Sequence, residues 1–242
     1  QDSVIRNLTF KVDTGFNRQY WGFEQKGKRG AGMPKAGGGG GRRMRDEGAD
    51  ANDDDKEYRG RDVLAGKYKI IVSANNKKDS MWLEVKDDTR LTNKDAVVKK
   101  QDELLAQLQV SVDKFNTALD ELDEADALLV QLKSEWKDKK DKGLDTLNKS
   151  HKTITATAKA LREMIMGKKQ EKQGYGTVDV ITPISTIRDA SMLIMSKSTM
   201  PAEQELQKIK DAEAAIQNVI TKVNDFFSKD WASFRKLVDR KS

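Results

Sequence analysis

Between Leu8 and Val85 the apolar residues of this chain recur every second position in short runs; near Asp88 to Thr92 the rhythm changes to every third and fourth position and holds almost to the end. A half-buried strand sends alternate side chains to one face, whereas a helix returns to a face after three or four residues, so the change of period predicts two modules. In the first, Leu8, Phe10 and Val12 alternate with Thr9 and Lys11, and Asp13-Thr14-Gly15 supplies a turn. A second strand is expected from Phe16 to about Gln25. Gly66 opens a third, in which Tyr68, Ile70 and Val72 share a face. Asn75-Asn76 turns the chain into a fourth, with Met81, Leu83 and Val85 on one side and Trp82 on the other. Four strands with tight turns predict a small antiparallel sandwich over about 1–90.

A long interruption, at about 26–62, separates the second and third expected strands. It holds five consecutive glycines (Gly37 to Gly41), a basic cluster at Arg42, Arg43 and Arg45, and an acidic run through Asp53, Asp54, Asp55 and Glu57. A segment with so few side chains to bury does not offset the entropy lost on ordering it, so it is read as an extended inserted loop. Opposite charges on its two arms would draw its ends together weakly.

From Asn93 the pattern is helical. Leu105, Leu108, Val112, Phe115, Leu119 and Leu122 follow one face, and Leu129, Leu132 and Trp136 continue it, which predicts a helix of more than about 40 residues. Lys137 to Gly143 makes a turn, and Leu144, Leu147, His151, Ile154, Ala158, Leu161 and Ile165 mark a second helix ending near Gly167. After a polar link, Ile184, Ile187 and Ile194 define a short third helix behind Pro183. Ser198 or Thr199 is the expected cap of a fourth, with Pro201 in its first turn and Leu206, Ile209, Ile216, Val219, Val223, Phe226 or Phe227, Phe234 and Leu237 on its apolar face. The fold class expected is therefore α+β and multidomain, an antiparallel sandwich followed at about 93–242 by an antiparallel three- to four-helix bundle.

Composition narrows the function classes. Charged residues make up 35% of the 242 and apolar residues 36%, which suits long helices with solvated outer faces. The net charge of +6 comes from 45 basic and 39 acidic residues, interleaved as in Lys208 to Glu213, which argues against a nucleic-acid face. Absence of cysteine excludes disulfides, thiol nucleophiles and cysteine metal sites. The longest apolar run, around Met192 to Met195, is far short of the roughly 18 to 20 residues a membrane span needs. A start at Gln1, with neither Met nor a signal sequence, reads as a mature or excised fragment.

No catalytic set emerges. His151 is the only histidine; it lies on an apolar stripe without a second metal ligand, and a hydrogen-bonded core histidine is expected. Asp50, Asn52 and Asp54 resemble the first ligands of a calcium loop, but Asp55 stands where such a loop needs Gly and Arg61 where it needs Glu. The glycines before Arg42 lack the Lys-Ser or Lys-Thr of a phosphate-binding loop. Asp120 and Glu124, one helical turn apart, read as surface carboxylates. Trp21, Trp82, Tyr20 and Tyr68 could form a sugar platform, but alternation puts Tyr20 and Trp21 on opposite faces, and core packing is the expected role. No cofactor or metal is expected, and the interaction candidates are Arg42, Arg43, Arg45, Trp82 and Trp136.

Three segments, Ile5-Arg6-Asn7-Leu8, Thr14-Gly15-Phe16-Asn17-Arg18-Gln19-Tyr20-Trp21 and Leu64-Ala65-Gly66-Lys67-Tyr68, resemble the C-terminal region of bacterial sortilin-like or BNR-repeat β-propeller proteins. There a Gly-Leu-Asn-Arg-x-x-Trp and a Pro-Gly-x-Tyr segment build an immunoglobulin-like strand unit, and Asp88-Thr89-Arg90 matches the Asp-Pro-Arg that leads into a helical tail. Ala65 and Thr89 replace two of the prolines, and the propeller repeats are absent. The resemblance implies a secreted, periplasmic or cell-surface accessory tail, docked on an upstream propeller or another protein. The expected function is a non-enzymatic structural or protein-interaction module. Alternatives are a carbohydrate-binding accessory and an anionic-surface or nucleic-acid binder through Arg42, Arg43 and Arg45.

Overall fold

A computed structural model describes residues 3–35, 58, 60–86, 94–136, 144–168 and 180–240. Strands β1 (Gly66–Ala74) and β2 (Lys77–Val85) are followed by helices α1 (Lys94–Trp136), α2 (Leu144–Met166), α3 (Pro183–Ser196) and α4 (Glu203–Asp225). A π-helical segment, Phe226–Trp231, continues α4 into α5 (Ala232–Asp239). The sole sheet among the described residues is the two-stranded antiparallel pair β1–β2. The expected immunoglobulin-like β-sandwich is therefore wrong: the chain is mostly α-helical with a small hairpin.

The first two expected strands show why. Leu8 and Phe10 are half-buried and Thr9 between them is exposed, so the alternation does report an extended segment with an inner side. Such a period does not supply a neighbouring strand in register, and residues 3–23 join no ladder. The turn at Asp13 to Gly15 forms, closed by the Asn17 side chain, which accepts from Asp13 N–H at 3.0 Å and donates to the Asp13 carbonyl at 2.9 Å. What pairing there is lies at the end of the segment, where Glu24 bridges Asp62. Gln25 N–H donates to the Arg61 carbonyl and Val63 N–H to the Phe23 carbonyl, both at 2.7 Å. Main-chain bonds thus join the two ends of the inserted loop, and the charged runs lie outside the described residues. Gly60 permits the approach, since a Cβ there would lie 1.6 Å from the Gln25 carbonyl oxygen.

Two compact units divide the chain, one made of Gln1–Arg29, Pro34–Glu103 and Ser198–Met200, the other of Gly30–Met33, Leu104–Lys197 and Pro201–Ser242. In the first, Trp21 packs on Phe23 and on the edge of Tyr68, with centroids 5.3 and 6.1 Å apart, and its indole N–H donates to the Glu24 carbonyl. Tyr68 thereby anchors the base of the hairpin.

In the second unit, Leu108, Val112, Phe115, Leu119, Leu122 and Leu129 of α1 share one apolar cluster with Ile154, Ala158 and Ile165 of α2, Ile184 and Ile187 of α3, and Ala212 to Val223 of α4. Most of the expected stripes of α1 to α3 are buried, but Leu105, Leu132, Trp136 and Leu161 are only half-buried, and Leu104 takes the inner place beside Leu105. Gly167, at φ +86°, ends α2 as predicted, donating to the Glu163 carbonyl. Thr182 and Ser185 cap α3 reciprocally, each side-chain hydroxyl accepting from the other's backbone N–H.

Helix α4 departs from expectation at its start. Neither Ser198 nor Thr199 caps it; the helix begins at Glu203, and Glu205 reaches back so that its carboxylate accepts from Ala202 N–H at 2.8 Å. Glu205 is buried at 2% exposure, and Leu206, expected inside, is 41% exposed. The stripe then runs through Ile209, Ala212, Ile216, Val219, Val223 and Phe226. A continuous α-helix would next turn Asp230 and Ser233 inward. The π segment absorbs one extra residue, so Trp231, Phe234 and Val238 take those places and pack on the core, and Asp230 and Ser233 stay exposed.

Candidate interaction surface

The hairpin is closed by a two-residue turn in which Asn75 and Asn76 both hold positive φ, 48° and 63°. Asparagine tolerates this region better than other side chains, and a turn of this kind matches the right-handed twist of the strands. Its register pairs Tyr68 with Leu83, Ile70 with Met81 and Val72 with Asp79 on one face, and Lys69 with Trp82 and Ile71 with Ser80 on the other. That confirms the faces read from alternation. Burial, however, stops half way. Tyr68, Ile70, Leu83 and Val85 near the base are half-buried, whereas Ile71, Val72, Met81 and Trp82 are 60 to 66% exposed. An isolated hairpin is marginally stable in water, and this one leaves apolar residues exposed on both of its faces.

Of the named candidates, Trp82 belongs to this surface, with the Lys69 ammonium 5.9 Å from its ring centroid. Trp136 does not. It is half-buried at the end of α1 and meets His151 edge-on at 6.0 Å. Arg42, Arg43, Arg45 and the calcium candidates Asp50, Asn52 and Asp54 lie outside the described residues. Among the described residues no cluster of acidic or histidine side chains is arranged to hold a metal. The aromatic platform does not assemble: Trp21 and Tyr68 pack together, and Tyr20 is 76% exposed.

His151 is a core residue, 7% exposed, flanked by Trp136 and Phe234. Its Nε2 lies 2.8 Å from the Leu129 carbonyl; a carbonyl only accepts, so Nε2 carries the proton. No described helix is long and apolar enough to cross a membrane.

Three polar residues that sequence reasoning passed over do specific work in the helical unit. Asn116, 2% exposed, accepts from Gly32 N–H at 2.9 Å and donates to the Gly30 carbonyl at 3.2 Å. Arg188 donates to the Ala31 carbonyl through Nε and Nη2, at 3.2 and 3.1 Å. Between them Ala31 is buried, and Gly32, at φ +65°, leaves no room for a side chain because its Cβ would lie 2.2 Å from Ile184 Cδ1. The third is Glu205. The Ala202 N–H and the Lys197 ammonium, 3.2 Å from Oε1, hold its carboxyl below the usual carboxylate range despite the opposing effect of burial. On α1, burial raises Asp126 above its ordinary value, and Arg162, at 2.9 Å, opposes that rise. Asp123 pairs with the same Arg162 guanidinium and adds to the rise. Comparison with family models, with curated proteins and with solved structures finds no match for this chain.

Proposed function

We propose that this chain is a non-catalytic protein-interaction module whose contact surface is the outer half of the β1–β2 hairpin. One observation carries the reading: Ile71, Val72, Met81 and Trp82 are exposed on the outer half of the hairpin, two on each face. A protein partner, or an upstream domain of the same protein, would bury them and supply the support that a lone hairpin lacks. The sequence resemblance favours an upstream β-propeller as the partner and a secreted or envelope location.

Isolation of tagged chain under native conditions tests the proposal. The double variant Val72→Asp/Met81→Asp is expected to keep its helix content and to lose the co-isolated protein. Val110→Asp/Val130→Asp, which alters residues of α1 that are 59 and 71% exposed, is expected to retain it. Equal retention by both variants would contradict the proposal, as would hydrolysis of a glycoside or peptide that His151→Ala abolishes.

A further inference from the structure

The faces of the hairpin are one part of its surface; the outer edge of β2 is another, and its sequence is complementary to itself. In a two-residue hairpin the residues flanking the turn, here Ala74 and Lys77, form a hydrogen-bonded pair. Counting from Lys77, every second residue of β2 bonds to β1, so Lys78, Ser80, Trp82 and Glu84 direct their backbone N–H and C=O groups away from it. Ser80 bears this out, because its N–H is taken by the Asp79 carboxylate at 2.8 Å rather than by β1. No described strand covers this edge.

We infer that β2 pairs antiparallel with β2 of a second copy about a two-fold axis at Met81, extending the hairpin to a four-stranded sheet. The inference rests on the hairpin being an interaction surface and names one occupant of its edge. Only residues with outward backbone groups can exchange the new bonds, which restricts the register. Centred on Met81, Lys78 faces Glu84 of the second copy twice over, and Ser80 faces Trp82 twice. Moving the centre one residue toward Val85 sets Lys78 against Lys86, and moving it one toward the turn removes the Lys78–Glu84 pairs. At the outward-facing positions within β2, the Lys78–Glu84 charges favour the Met81-centred register over its two neighbours. Edge lysines ordinarily deter strand addition, and here the acid that answers them lies on the same strand at the matching distance from the centre. Both side chains are available: Glu84 is exposed, held only by a 3.8 Å contact to an exposed Lys86, and Lys78 is exposed. A shallow groove lined by Lys67, Trp82, Leu83 and Glu84 lies beside this edge. In the paired form Val72 and Met81 of both copies would line one face, doubling the apolar surface offered to a protein partner.

Sedimentation of the full chain over a concentration series tests this, with circular dichroism confirming that each variant is folded. Wild type is expected to show a monomer–dimer equilibrium. Lys78→Glu and Glu84→Lys should each weaken association about tenfold, because two opposed pairs become like-charged. The double variant Lys78→Glu/Glu84→Lys, or an equimolar mixture of the two single variants, should restore it. A chain that stays monomeric at all concentrations would overturn the inference and leave the proposal of a different protein partner standing. Dimers unaffected by either reversal would overturn it too, placing self-association on the helices.

Discussion

At the scale of single residues, the helical unit depends on a few polar side chains inside apolar stripes. Asn116 is the clearest, since it is buried and satisfies both a donor and an acceptor of the Gly30–Gly32 backbone. Asn116→Leu removes both partners and leaves those groups unpaired, at an expected cost of about 1–3 kcal/mol in urea unfolding. Gly32→Ala should cost at least as much, because a Cβ would strike Ile184 and the backbone would keep φ at +65°. Glu205 gives the unit a pH dependence of known sign. Its folded value lies below its ordinary 4.5, so the stabilisation it contributes is complete above that pH and is lost as pH falls through the lowered value. Wild type should therefore be more stable than Glu205→Gln at neutral pH, and the gap should close under acid conditions below about pH 4.5. A gap that widens on acidification would show the sign to be wrong. Both residues were legible in principle: Asn116 stands between Phe115 and Leu119 on the buried side of α1, and Glu205 is in phase with Ile209 and Ala212. Treating such positions as surface hides them, because a satisfied buried polar group looks like a solvated one in the sequence.

At the scale of elements, apolar spacing located every described helix, and it failed where a local partner decided the outcome. The start of α4 follows Glu205 and Lys197 instead of the hydroxyls upstream. The extended run at Leu8 to Val12 has the period of a strand and no ladder to join. The π segment is the most informative departure, since Phe226 and Trp231 are five positions apart in sequence, one more than an α-turn keeps on one face. Deletion of Ser228, an exposed residue of that segment, would restore α-helical spacing to Phe226, Trp231, Phe234 and Val238. The deletion is expected to be tolerated, with the melting temperature shifted by no more than a few degrees. By contrast, Phe234→Ala, which empties a buried site, should cost about 3–5 kcal/mol. Loss of cooperative unfolding on deleting Ser228 would mean that the wider turn is needed for packing beyond restoring phase.

For the whole molecule, the sequence anticipated a helical second half and a hairpin turning at Asn75-Asn76, and mistook the remainder of the first half for a sandwich. Alternation shows which way side chains point along one segment. Pairing is a relation between segments, and among the described residues only the Glu24–Asp62 bridge and the β1–β2 ladder satisfy it. The consequence bears on function, because a sandwich would have buried Val72 and Met81, whereas the hairpin leaves them exposed on one face and Trp82 on the other. Photo-crosslinking from position 82 in the native cell, with the same probe placed at Val130 of α1 as control, tests the central claim most directly. The account predicts a protein adduct of discrete mass from position 82, either a partner or a second copy, and none from position 130. Equal labelling at the two positions, or adducts to saccharide alone, would contradict it.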